Sequence, residues 1–301
     1  MKVNKSITKN NRSNLKKVIM NGKLILIAMC LILASYGIAG ADYLLIDQEY
    51  MANVNNWHNL SYFKFDQEFT PSLSSINMVR LALHTNEEGA ALRINIRQDS
   101  IYGPIIGTSE EHLPRGFNDM ALFMFASPMQ LTQGSSYIID LELLSGSAFV
   151  ASAFEAGGYP QGLMYIDGYN TPTDNSDLIF QTGNMRSNVI KIISGAKTLC
   201  RGINSNDKLI IAILSNDVLD ATMVDPESVT FAEAGVKRGG KNGRLQCSQK
   251  DSNYDGLPDL TCSIDVKQLV IEQDALSIDV TAETYDGMRI MGDEVLCGGQ
   301  N

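Results

Sequence analysis

From residue 42 onward the chain is built of short segments in which apolar and polar residues alternate, each closed by turn-forming residues. Val79-Arg-Leu-Ala-Leu-His84, Leu92-Arg-Ile-Asn-Ile-Arg97 and Tyr137-Ile-Ile-Asp-Leu-Glu-Leu143 carry the pattern. A period of two places alternate side chains on opposite faces, which suits a half-buried strand and not a helix. Between these segments lie Thr70-Pro-Ser72, Asn86-Glu-Glu-Gly89, Leu113-Pro-Arg-Gly116 and Thr132-Gln-Gly134, all of turn composition. The region offers no long amphipathic helical period. Many short strands at such spacing predict an antiparallel sandwich or jelly roll.

The pattern pauses at the polar stretch Asn184-Met-Arg-Ser-Asn188 and then resumes. Leu209-Ile-Ile-Ala-Ile-Leu214 is continuously apolar, as a central strand covered on both faces would be. Ser228-Val-Thr-Phe231, Leu260-Thr-Cys-Ser-Ile264 and Leu276-Ser-Ile-Asp-Val280 follow, and Gly239-Gly-Lys-Asn-Gly243 reads as a loop tip. The expected fold is therefore all-β, with two antiparallel β-sandwich domains. Residues 42–183 form an N-terminal jelly roll, 184–188 a linker, and 189–301 a smaller C-terminal sandwich. Each is long enough for its own core.

Residues 1–41 are read apart from the fold. Seven bases from Lys2 to Lys23, the apolar run Leu24–Ala34 and the ending Ala39-Gly-Ala41 have the form of an export signal cut before Asp42. The alternative is an uncut anchor, because the run through Ala41 approaches a membrane-spanning length; membrane contact is expected only through this segment. No acid lies in residues 1–41, so its removal takes the net charge from −10 to −17. Such a charge repels phosphate, which argues against nucleic acid or anionic lipid as partner. Expected locations are secreted, periplasmic or cell-surface. The remaining cysteines, Cys200, Cys247, Cys262 and Cys297, are even in number, which after an export signal implies disulfides. No pair has the two-to-four-residue spacing usual for zinc ligands.

Asp251-Ser-Asn-Tyr-Asp-Gly-Leu-Pro-Asp259 is the most specific chemical signal. Hard oxygen donors recur at alternate positions, and Gly256 stands where a calcium loop reverses sharply. The expected cofactor is calcium, held by Asp251, Asn253, Asp255 and Asp259 with the Leu257 carbonyl. The position of the bidentate Glu of an EF-hand is Cys262, so affinity should fall to about 0.1–1 mM, as in extracellular calcium modules. The rival reading is an acidic turn whose Asn and Asp side chains satisfy their own backbone. Cys247 and Cys262 bracket the loop on its flanking strands; a bridge between them would contribute about 3 kcal/mol in the chain-entropy model. Cys200 and Cys297 would then join the ends of the second domain.

Three motifs carry a resemblance. Leu209–Phe231 ends in Asp-Ala-Thr-Met-Val-Asp-Pro-Glu-Ser-Val-Thr-Phe; the aspartate-rich turn follows; Ala282-Glu-Thr-Tyr-Asp-Gly287 leads to Gly292-Asp-Glu-Val295. In order and spacing, residues 189–297 resemble a widespread bacterial extracellular β domain. The resemblance implies a calcium-associated accessory domain of exported proteins. Lys250 before the loop and Asn253 within it depart from that pattern. Gln67–Ser75, Ile94–Arg97, Gly103–Ser109 and Ser127–Gly134 resemble a jelly-roll module of exported bacterial proteins, similar in layout to carbohydrate-binding sandwiches.

Three functions are compatible with these features. The first is a non-catalytic binding or surface protein, with a glycan or another envelope protein as partner. Trp57, Tyr62, Tyr159, Tyr165 and Tyr169 would stack on sugar rings, with Asn55, Asn56 and Gln161 beside them; packing is the competing fate of these aromatics. The second is a polysaccharide hydrolase, with Glu155 as first suspect, although the chain has no nucleophile elbow, His-Glu-x-x-His or phosphate loop. The third is a purely structural envelope or matrix component.

Overall fold

The computed structural model describes residues 42–154, 158–170, 176–187, 189–194, 208–269 and 277–295. The export segment 1–41, Glu155, Cys200 and Cys297 lie outside the described residues. Within them the chain is all-β, with a single turn of 3-10 helix at Ala221–Met223. The strands are β1 (Asp42–Tyr50), β2 (Asn56–Asn59), β3 (Phe65–Phe69), β4 (Ser75–Gln98), β5 (Ile105–Leu113), β6 (Asn118–Gln130) and β7 (Tyr137–Phe154). They continue with β8 (Met164–Ile166), β9 (Tyr169–Asn170), β10 (Ser176–Leu178), β11 (Phe180–Ser187), β12 (Ile190–Ser194) and β13 (Leu209–Ile213). The last are β14 (Thr230–Phe231), β15 (Ala234–Gly235), β16 (Arg238–Gly239), β17 (Arg244–Leu245), β18 (Cys247–Lys250), β19 (Asp259–Ile264), β20 (Ser277–Glu283) and β21 (Arg289–Val295).

A large antiparallel sheet runs β15-β14-β20-β21-β1-β11-β4-β7-β3-β8-β9, with β2 and β10 also on β7, and β5 and β6 also on β4. A smaller sheet runs β12-β13-β19-β18, and β16 pairs with β17. The arrangement is that of packed β-sheets, as expected from the alternation. Central placement of the apolar strand β13, between β12 and β19, also follows expectation.

Two segments read as separate strands are halves of one. β4 runs 24 residues and changes neighbours along its length. Its first half pairs with β11 and β6, its second with β5, and β7 pairs with it from Leu83 onward on both sides of the break. The stretch Asn86–Gly89, expected as a turn, is instead an irregularity inside this strand. Gly89 has φ +71°, and Gly146 of β7, the register partner of the next residue Ala90, has φ +79°. A Cβ on Gly146 would lie 2.2 Å from the Gly89 carbonyl oxygen, so two glycine backbones touch where the ladder breaks. Such a paired glycine break lets two long strands bend together.

Polarity misled in a second place. Residues 184–187, read as linker, are the end of β11. Asn184 is fully buried, its amide donating to the Ser75 carbonyl (2.8 Å), and Met185 pairs with Leu44 of β1. Strand β1 is the hinge of the architecture: β11 lies on one side of it and β21 on the other. One apolar cluster, around Phe65, Phe69, Leu81, Ile94, Phe123 and Phe180, fills the first half of the chain. Another gathers Ile211, Val229, Phe231, Leu260 and Val280, to which β1 contributes Tyr43 and Leu45. A polar ladder also crosses this junction. Arg80 donates to Gln181 (2.9 Å), Gln181 to Glu49 (2.8 Å), and Arg289 pairs with Glu49.

Candidate functional site

The acidic turn is folded by its own side chains. Asp251 accepts the backbone N–H of Tyr254 (2.6 Å) through Oδ1 and of Gly256 (3.0 Å) through Oδ2. Asp255 Oδ1 accepts Leu257 N–H (2.8 Å), and Asn253 Nδ2 donates to Asp255 Oδ2 (2.7 Å). Gly256, at φ +93°, makes the reversal expected of it. Asp259 does something different. It is fully buried and clamps Ser215 N–H (3.0 Å) and Ser252 N–H (2.6 Å), fixing the turn to the end of β13. Asp251 and Asp255 are exposed, and both carboxylates already accept hydrogen bonds from the turn itself. Among the described residues, no three His, Cys, Asp or Glu side chains converge as a metal cage would require. The turn's flanking strands β18 and β19 are bridged by the disulfide Cys247–Cys262, whose residues face each other directly in the ladder.

The aromatic residues do not form one site. Tyr159 is only 5% exposed; its ring packs edge-on against Phe180 (5.1 Å) and its hydroxyl donates to Gln48 (2.8 Å). This tyrosine belongs to the core, so it is withdrawn from the ligand-contacting set. Trp57 on β2 is partly exposed and stands edge-on to His84, at the other end of β7 from β3, the strand that pairs with β8. Asn55 caps the end of β7 by accepting Phe154 N–H (2.6 Å). Tyr165 and Tyr169 share the β8–β9 hairpin, and Tyr169 is largely exposed. Tyr62, also exposed, lines a depression of about 530 Å³ with Phe63, Lys64 and Glu142.

Between that depression and the hairpin lies a cleft that the sequence did not single out. Register brings Tyr165 of β8 beside Asp66 of β3, Asp66 beside Asp140 of β7, Asp140 beside Asn95 of β4, and Asn95 beside Thr108 of β5. A polar row thus crosses five strands on the face opposite Phe65, Ile94 and Leu141. Asp66 and Asp140 are buried, a costly position for two like charges directly opposite each other. Lys64 offsets this by reaching Asp140 Oδ1 (2.9 Å) and Asp66 Oδ1 (3.4 Å). Arg97 reaches Asp140 Oδ2 through Nε (2.6 Å) and the Gly103 carbonyl through Nη1 (3.0 Å). Arg93 extends the lattice to Glu110 (2.6 Å) and Glu142 (3.1 Å).

Above this floor the cleft, about 370 Å³, is walled by Ile101 and Tyr102 on one side and Asp167 and Gly168 on the other. The walls are close: a side chain on Gly168 would meet the Tyr102 hydroxyl at 3.3 Å. Asp167 is tied in place by accepting Lys64 N–H (2.9 Å). One hint was legible. Arg93, Asn95 and Arg97 stand at every second position of β4, but only the register shows which acids they meet.

The electrostatics of the pair are unequal. Burial pushes the Asp66 carboxyl up to about 6 from an ordinary 3.8; Lys64 opposes the rise and the Asp140 charge adds to it. Burial would also raise Asp140, but hydrogen bonds and charge from Lys64 and Arg97 outweigh it and hold that carboxyl below its ordinary value. Asp47, at the register shift in β1, is likewise raised to about 6, chiefly by burial, although Ser72 and Leu73 N–H groups lower it.

Comparison with protein-family models and with curated proteins returns no match.

An acid raised in the folded state stabilises below its unfolded pKa, and that contribution is lost as pH rises through the folded value. Asp66 should therefore reduce stability between pH 4 and about 6, in the same direction as Asp47. In urea titrations, Asp66→Asn should gain on the wild type by on the order of 2 kcal/mol from pH 4 to 7. Parallel profiles for the two proteins would contradict the assignment.

Proposed function

We propose that the chain is an exported or envelope-exposed, non-catalytic binding protein. In this reading the first half is a jelly-roll module that takes a glycan in the charged cleft. The second half is the accessory β-sandwich suggested by its resemblance, with calcium at the acidic turn. The observation that carries the reading is the cleft itself. Exposed Tyr102 and the β8–β9 hairpin stand over a row of fixed hydrogen-bonding groups, the mixture of flat aromatic and polar contacts that sugar rings use. A binding role is favoured over hydrolysis because Asp66 and Asp140 lie beneath Lys64, buried and sharing its ammonium. Glycosidases need two carboxyl groups that reach the scissile bond, about 5–10 Å apart.

Calcium at Asp251, Asn253 and Asp255 would stiffen a turn that is already closed by hydrogen bonds and by the disulfide. Its role in this reading is structural. At ten times the dissociation constant, calcium should stabilise the protein by about 1.4 kcal/mol, and Asp255→Ala should abolish the gain. Magnesium should replace it poorly, because it demands a tighter octahedral shell. Melts that coincide in calcium, magnesium and chelator would reduce the turn to a self-satisfied acidic loop. For the cleft, a broad glycan array probed with the exported protein should give binders whose signal falls in Tyr102→Ala. Silence across plant, bacterial and host glycans would overturn the binding reading.

A further inference from the structure

We infer that the ligand of the cleft is an acidic sugar, a uronic acid residue whose carboxylate is received by Lys64 and Arg97. This rests on the glycan-binding reading above and narrows it to one chemical class.

The argument is one of unused donors. Lys64 has three ammonium protons and contacts two carboxylates, Asp66 and Asp140. Arg97 gives Nε to Asp140 and Nη1 to the Gly103 carbonyl, and among the described residues its Nη2 donates to no other group. The acids of the lattice lie underneath: their side chains are 1% and 3% exposed, whereas those of Lys64 and Arg97 are 43% and 22% exposed. The cleft therefore presents cations upward from a buried anionic floor. Both cations are held from below, so little side-chain entropy remains to be lost on binding. Hydrogen bonds from such groups to a carboxylate are charge-assisted.

The walls specify the rest of the ligand. Tyr102 is 85% exposed and offers a ring face for a pyranose. Asp167 spends Oδ1 on Lys64 N–H, which leaves Oδ2 to accept a hydroxyl. A ligand that satisfies both ends carries a carboxylate and neutral hydroxyls on one ring.

The test is calorimetric titration of the exported protein with galacturonate and mannuronate tetramers, and with the same oligomers after reduction of their carboxylates to alcohols. At least one acid form should bind about tenfold or more tightly than its reduced counterpart, and high salt should shrink the difference. Arg97→Lys, which keeps a cation for Asp140 but removes the second guanidinium arm, should bring the ratio toward one. Tyr102→Ala, at a surface position, should weaken binding about fivefold without moving the melting temperature. Equal binding of acid and reduced forms would overturn the inference while leaving the glycan reading intact. So would failure of all four oligomers beside neutral binders on an array. An array without any binder would remove both.

Discussion

Two aspartates that face each other across adjacent strands, Asp66 and Asp140, are buried within a sheet and need a cation to lie there. Lys64 and Arg97 supply it from neighbouring rows, each placed by the pairing of β3 and β4 with β7. The register of the sheet and the charge lattice depend on each other. A slip of one residue would turn Asp66 and Asp140 into the apolar cluster and expose Phe65 and Leu141. The lattice fixes the floor of the cleft, and Arg97 extends it to the wall by holding Gly103. Asp66, whose contact with Lys64 is the longer of the two, keeps the penalty of burial as a raised affinity for a proton.

The same economy governs the junction around β1. A single strand gives Tyr43 and Leu45 to the second apolar cluster while pairing with β11, which belongs to the first half of the chain. The ladder from Arg80 through Gln181 and Glu49 to Arg289 crosses the strands at this place, satisfying groups that would otherwise be stranded in a broad sheet. The bend in β4 and β7 is set by another local constraint, the contact of Gly89 with Gly146, where no side chain fits.

Strand positions were legible because the pattern is a local property: alternation marks both halves of β4 and the start of β7, and a continuous apolar run marks β13. The Cys247–Cys262 bridge followed from two cysteines bracketing a turn, and the structure contains it. Errors arose where composition stood in for pairing. Asn86–Gly89 has turn composition but is an irregularity inside β4, and Asn184–Ser187 is polar yet paired in β11. Tyr159 is an aromatic flanked by turn residues, whereas burial against Phe180 decides its place. The cleft was invisible for a stronger reason. Its members come from residues 64–66, 97–102, 140 and 167–168, and only non-local register unites them. At the acidic turn the donors were evident from spacing, but the inward bonds of Asp259 to Ser215 and Ser252 required the fold.

The account stands on the coupling between Lys64 and Asp140, and a double-mutant cycle measures it directly. Lys64→Met keeps the aliphatic stem and Asp140→Asn keeps the shape, so the cycle isolates the charge interaction. Urea unfolding of the wild type, the two single variants and the double variant at pH 7 should give a coupling of about 2 kcal/mol, as expected for a partly buried network. A coupling below about 0.5 kcal/mol, the scale of an ordinary surface ion pair, would contradict the claim that this lattice holds the sheet face and its cleft together.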